Sequence, residues 1–102
     1  MSSSSQPWTQ LVLFVYDITS DSTRNKVHKL LSRYGVPVQK SAFEARLERG
    51  EKQYLLDELK RLINPEVDSI HVYPIPKDVE PKIVELGKPR PPVVVEDYFI
   101  LE

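Results

Sequence analysis

Asp17 is the first residue of chemical interest, because a run of six apolar or aromatic residues, Leu11-Val12-Leu13-Phe14-Val15-Tyr16, ends abruptly in its carboxylate. A carboxylate that surfaces at the carboxyl end of a central strand lies where open α/β sheets usually bind ligands. Just downstream, Arg24, Lys26, His28, Lys29 and Arg33 follow one another with no acid between Ser22 and Tyr34. A merely solvated helix face would interleave Glu for i, i+4 pairing, so these charges repel one another unless an anion is met. Phosphate groups would serve, and so would acids brought in from elsewhere in the fold. Phe43 is an aromatic residue that can stack on a base, worth ~1–3 kcal/mol where it does, or pack in the core. Neither histidine is given a catalytic role: His28 belongs to the basic helix, and His71 reads as a packing residue in mid-strand.

Phosphodiester hydrolysis usually uses a metal to polarise the phosphate and activate a water. Mg²⁺ commonly takes one or two carboxylates and completes its octahedron with waters and substrate phosphates. Asp17 supplies one carboxylate, and a two-fold axis passing near it would double the number. Asp21 reads as a helix cap rather than a ligand. The chain has no cysteine, which excludes a disulfide framework, a thiolate metal site and a cysteine nucleophile together. A reducing cytoplasm fits that composition.

The elements that must position these residues fit one domain, since 102 residues suffice for a single core. Hydrophobic residues make up 40% and charged ones 28%, which argues against a disordered or fibrous chain. No apolar run approaches the ~20 residues of a membrane helix, and the first ten residues have neither the basic start nor the apolar centre of a secretion signal. Net charge is only −1, but it is sorted along the chain. Ser22 to Arg61 carries ten Lys or Arg against five Asp or Glu, and Leu62 onward carries four against eight. Such asymmetry marks a nucleic-acid face or simply a solvated surface.

Residues 1–9, with four consecutive serines, read as a disordered lead-in, residues 10–90 as the domain, and residues 91–102 as a terminal strand. The first strand is apolar at both parities, which predicts burial on both faces. A helix over 22–34 follows, capped by Asp21 or Ser20, packed through Val27, Leu30, Leu31 and Tyr34, and ended by Gly35. Residues 36–47 are extended, but their apolar parity slips between Val38 and Phe43, so either a bulge lies near Lys40-Ser41 or two strands meet there. After a turn at Gly50, a second helix over 51–63 turns Leu55, Leu59, Leu62 and Ile63 inward and stops at Asn64-Pro65. A strand over 68–76, a helical turn within 81–87 and a proline-rich linker over 88–92 complete the body. Val93 to Leu101 is apolar yet set apart by stiff prolines, so it is expected to pair beyond its own chain. The order is that of an α+β, ferredoxin-like β-α-β-β-α-β fold with an extra C-terminal strand, a fold that by itself decides no function.

Tyr16-Asp17-Ile18, Asp21, Arg24 and Lys26, Arg33-Tyr34-Gly35, Val38 to Glu44, and Asp68-Ser69-Ile70-His71-Val72-Tyr73 together resemble the CRISPR-associated protein two family (Cas-two). The resemblance spans roughly residues 11–75 and runs more loosely to residue 101. It implies a symmetric homodimer whose C-terminal strands join the partner's sheet, seated between dimers of the CRISPR integrase (Cas-one) during spacer acquisition. It also implies a Mg²⁺- or Mn²⁺-dependent endonuclease acting on RNA or duplex DNA. The family's metal-site aspartate falls on Asp17, its basic helix positions on Arg24, Lys26 and Arg33, and its aromatic on Phe43; Lys29 joins them on the same helix. Two departures stand out. Lys26 replaces a frequent arginine, keeping the charge but losing the bidentate fork, and Ala42 occupies a position often held by valine.

Three functions compete. A DNA-binding adaptor for the integrase needs charge and shape only. A metal-dependent endonuclease needs Asp17. A VapD-like toxin ribonuclease, outside CRISPR systems, resembles the same fold and strand-end aspartate.

Overall fold

A computed structural model of the chain describes residues 9–87. Residues 1–8 of the lead-in and the whole terminal strand of the sequence reading lie outside the described residues, whereas Thr9, which the sequence reading placed in the lead-in, opens the first strand. The elements are β1 (Thr9–Asp17), α1 (Asp21–Ser32), β2 (Gly35–Gln39), β3 (Ala42–Glu48), α2 (Arg49–Leu62), β4 (Ser69–Ile75) and a 3-10 turn at Glu80–Lys82. They form one antiparallel sheet in the order β2-β3-β1-β4 with both helices packed on it, the ferredoxin-like arrangement. β1 is central: Phe14 faces Phe43 of β3 on one side and Val72 of β4 on the other.

The helices cover one face of the sheet only. Val12, Phe14 and Tyr16 are buried with Phe43, Ala45 and Leu47 of β3, Val27 and Leu31 of α1, and Leu55 and Leu59 of α2. The other parity of β1 is not buried, and Val15 is 36% exposed. Two-faced burial was expected from the unbroken apolar run; within a single chain nothing among the described residues supplies a second layer, so Leu11, Leu13 and Val15 lie on a partly open face. Both outer strands carry a proline, Pro37 in β2 and Pro74 in β4.

Local chemistry explains the element boundaries. Ser20, not Asp21, caps α1, its Oγ accepting from the Thr23 N–H at 3.3 Å. Gly35 does not end the helix in a left-handed turn; it opens β2, where an added Cβ would lie 2.1 Å from the Glu44 carbonyl oxygen. Both readings of the parity slip are realised. Two strands meet at Lys40-Ser41, and the β2–β3 register shifts between Pro37 and Gln39. α2 starts two residues earlier than its composition suggests, because the Glu51 carboxylate accepts from the Glu48 N–H at 2.9 Å and takes up one free donor of the first turn.

Asp68 fixes the loops at the Asp17 end. This nearly buried carboxylate, 9% exposed, accepts from the Thr19 N–H at 3.1 Å and its hydroxyl at 3.3 Å, and from the Asn64 N–H at 2.9 Å. It thus ties the β1–α1 loop to the end of α2. The Asn64 bond first, then those of Thr19, hold its carboxyl below the ordinary carboxylate range, against the opposing effect of burial. A carboxyl lowered in the native state contributes stability that is complete above the unfolded value and is lost as pH falls through the native one.

Asp68→Asn should therefore lower the thermal midpoint at neutral pH, and its gap to the parent should close below about pH 4, where the parent's carboxyl also protonates. Calorimetry from neutral to strongly acidic pH measures this; a gap that stays constant would show that the charge is not what holds the loops. Gly35→Ala should cost on the order of 1–3 kcal/mol in urea unfolding, because the obstructing atom belongs to backbone. An unchanged midpoint would show that β2 shifts freely from β3.

Candidate nucleic-acid interface and metal site

Asp17 is exposed at the end of β1, where its register partner is Ser69 of β4. Alternation along β1 sets its side chain on the open face with Val15, opposite in parity to buried Tyr16. It makes no side-chain hydrogen bond or ion pair with the described residues. The β2–β3 turn closes on the same end of the sheet: the Tyr16 N–H donates to the Ser41 carbonyl at 2.9 Å, and the Tyr16 hydroxyl lies 3.4 Å from the Lys40 carbonyl. Burial raises the Tyr16 phenol, with Arg24 acting in the opposite sense, so it stays a neutral donor. Exposed Lys40 thereby joins the Asp17 end of the sheet. The sequence reading treated Lys40 only as a turn residue, and it takes the strand pairing to bring it there.

The basic residues of α1 divide into two groups. At 100° per residue, Lys26, Lys29 and Arg33 share one flank of the helix, while Arg24 and His28 share the other. The first three are exposed, make no ion pair among the described residues, and span about 10 Å along the axis. Arg24 behaves differently. Its Nη1 lies 2.6 Å from the Asp21 carboxylate, and its Nη2 donates to the carbonyls of Ile18 at 3.3 Å and Thr19 at 3.5 Å. Arg24 is therefore a brace for the β1–α1 loop rather than an unpaired phosphate ligand, and the acid that balances it precedes the segment in which none was found.

Phe43 is corrected as well. It is 1% exposed, stacked against Tyr16 with centroids 6.4 Å apart, and met edge-on by the His28 ring at 5.1 Å. A base cannot reach its ring without opening the core. The described residues thus do not form one site but two: a carboxylate on the open face, and a cationic stripe on the helix that covers the opposite face.

No three His, Asp or Glu side chains among the described residues gather as a cation site. One unpartnered, exposed carboxylate fits a hard cation that keeps most of its waters, as Mg²⁺ does.

The family model for the CRISPR associated protein Cas2 matches residues 10–83. The chain is 36% identical over 90 residues to the CRISPR-associated endoribonuclease Cas2 1 of Thermodesulfovibrio yellowstonii, covering 88% of this chain and 96% of that one. Its fold is similar to Streptococcus pyogenes Cas2 at pH 6.5, with a TM-score of 0.67, 29% identity, and coverage of 76% of this chain and 99% of that one. It is also similar to a chain of a partial Cas6-RT-Cas1–Cas2 complex, with a TM-score of 0.65, 28% identity, and coverage of 76% and 90%. The match to the family model runs from the first strand through the 3-10 turn, and on it this chain belongs to the CRISPR-associated Cas2 family.

Proposed function

We propose that this protein acts in CRISPR spacer acquisition as a homodimer that holds duplex DNA by its phosphates for the Cas1 integrase. The observation that carries the reading is the stripe of Lys26, Lys29 and Arg33, exposed on one helix flank and without an ion pair among the described residues. Three cations in a row without acids suit a polyanion, and phosphate contacts bind without reading sequence. The similarity to a chain of a complex containing Cas1 and Cas2 supports the integrase as partner. A dimer is supported by the open sheet face, where Val15 is 36% and Tyr73 47% exposed in a chain whose helices shield only the other side.

A second activity, endonuclease action on RNA or DNA, rests on Asp17 and on the name of the Thermodesulfovibrio relative. In a dimer, two copies of Asp17 would hold Mg²⁺ or Mn²⁺. Such a cation, when bound, polarises a phosphate and makes a water more acidic. Lys40, at the same end of the sheet, would steady a phosphate by charge. Because the carboxylate and the stripe lie on opposite sides of the sheet, the two activities are separable.

Alanine at Lys26, Lys29 and Arg33 should each lower the salt slope of duplex binding by about one unit. Arg24→Ala should leave that slope nearly unchanged while reducing thermal stability. Fluorescence anisotropy of labelled duplex across a salt series makes the comparison, and a slope indifferent to all three substitutions would place the interface elsewhere.

Asp17→Asn keeps the shape of the side chain and removes the charge that a hard cation requires. Cleavage dependent on Mg²⁺ or Mn²⁺ should disappear, while duplex affinity and spacer acquisition with the integrase should persist. Undiminished cleavage by the purified variant would rule Asp17 out as the metal ligand. Loss of acquisition in a variant that still assembles would show that the adaptor needs Asp17 too.

A further inference from the structure

Asp17 marks one end of the sheet, and β1 begins at the other. Thr9 of β1 pairs with Glu48 of β3, Leu11 with Ile75 of β4, and Gly35 of β2 with Ala45 of β3. The entry to β2, the exit from β3 into α2 and the exit from β4 therefore all lie at the end far from Asp17. Each of these three crossings carries a cation: Arg33 precedes β2 by two residues, Arg49 follows β3 directly, and Lys77 follows β4 by two. Strands lie ~4.8 Å apart, so from β2 to β4 the row spans roughly 14 Å, the rise of about four base pairs.

A cleft of about 820 Å³ opens within this row, between the first residues of β1 and the first turn of α2. Arg49, Lys52 and Lys77 line it, and Glu48 is the one acid among the described residues of its wall. The carboxylates of Glu48 and Glu51 each accept from the other's backbone N–H in the capping box, and Glu80 is held by both terminal nitrogens of the Arg46 guanidinium. Asp78, beside Lys77, is exposed and not part of the wall. Arg49 and Lys52 form no ion pair among the described residues. Gln10 turns its amide to the Ile75 carbonyl at 3.4 Å. What the cleft offers a solute is positive charge.

Gly50 points the same way. It sits in the first turn of α2 without a positive φ, and an added Cβ there would meet no atom within 4 Å. Neither backbone geometry nor packing asks for glycine at this position, and glycine weakens a helix relative to alanine. Its place on the wall leaves the cleft bare between Arg49 and Lys52, where a phosphate oxygen can approach closely.

We propose that this cleft is a second phosphate site, in which Arg49, Lys52 and Lys77 hold backbone phosphates of the same nucleic acid that the α1 stripe holds. The inference rests on the duplex reading above for the identity of the ligand. Arg33 joins the two features: it ends the stripe of Lys26, Lys29 and Arg33 and begins the row, so a backbone that follows the stripe arrives at the cleft end of the sheet. Contacts of this kind fix position without reading sequence.

Duplex anisotropy of the full chain across a salt series tests the site. Arg49→Ala, Lys52→Ala and Lys77→Ala should each lower the salt slope by about one unit, in addition to the losses from the α1 substitutions. Gly50→Glu places a strong helix former and an acid in the first turn, so the thermal midpoint should hold or rise. Duplex affinity of the same variant at low salt should fall by about tenfold, because its carboxylate meets the phosphates. That combination separates lost binding from lost fold. Unchanged affinity and slope in Gly50→Glu and in the Arg49→Ala, Lys52→Ala double variant would overturn the site. Calorimetric titration with adenosine monophosphate distinguishes the source of the phosphate: saturable binding that Gly50→Glu abolishes, with duplex binding untouched, would make the cleft a nucleotide site and overturn the backbone assignment. Slope losses in the cleft variants but not in those of Lys26, Lys29 and Arg33 would keep the cleft and overturn the stripe, and the reverse would overturn the cleft alone.

Discussion

Everything in this molecule depends on β1 being paired along both edges but covered on one face. Backbone pairing to β3 and β4 commits its N–H and C=O groups, so the strand cannot rotate to hide its second apolar parity. Val12, Phe14 and Tyr16 fill the core, and Leu11, Leu13 and Val15 are left to other means. Asp17 inherits the open side because it follows Val15 by two residues, and its exposure is a by-product of strand parity.

The loop beyond Asp17 is held by polar bonds rather than by packing. Asp68 and Arg24 both act on the stretch from Ile18 to Thr19, one by accepting from its N–H and hydroxyl, the other by donating to its carbonyls. Donors and acceptors of a short loop are satisfied from two sides, which sets where α1 begins and hence the direction of its cationic flank. The charged residues of this domain divide the work: some build the loop that aims the helix, and others face outward from it.

The elements were largely legible in the sequence because each has a strong local cause. Apolar residues recurring on one helical face marked both helices, at i, i+3, i+4 and i+7 in the first and at i, i+4, i+7 and i+8 in the second, and the parity slip before Phe43 located the β2–β3 turn. What was not legible depends on partners distant in sequence. Asp68 read as the start of a strand, and only its approach to Thr19 reveals the tie across 49 positions. Arg46 and Glu80, 34 positions apart, carried no local signal. Arg24 was grouped with the phosphate ligands because its balancing acid, Asp21, was assigned to the helix cap. Phe43 kept two readings until the rings of Tyr16 and His28 closed around it. The basic flank of Lys26, Lys29 and Arg33 was read correctly as exposed because its spacing opposes that of Val27 and Leu31.

The prolines of the two outer strands have a consequence for assembly. Proline has no N–H to donate, so the outer edge of β2 lacks a donor at Pro37 and that of β4 at Pro74. A visiting strand could lie against β4 from Ser69 to Tyr73 with a full ladder, and it would lose register with the backbone beyond that point. Such an edge accepts one short guest and ends there, rather than templating an open-ended stack. A small protein that leaves one apolar sheet face partly open is thereby protected against fibre growth at the place where fibres would start.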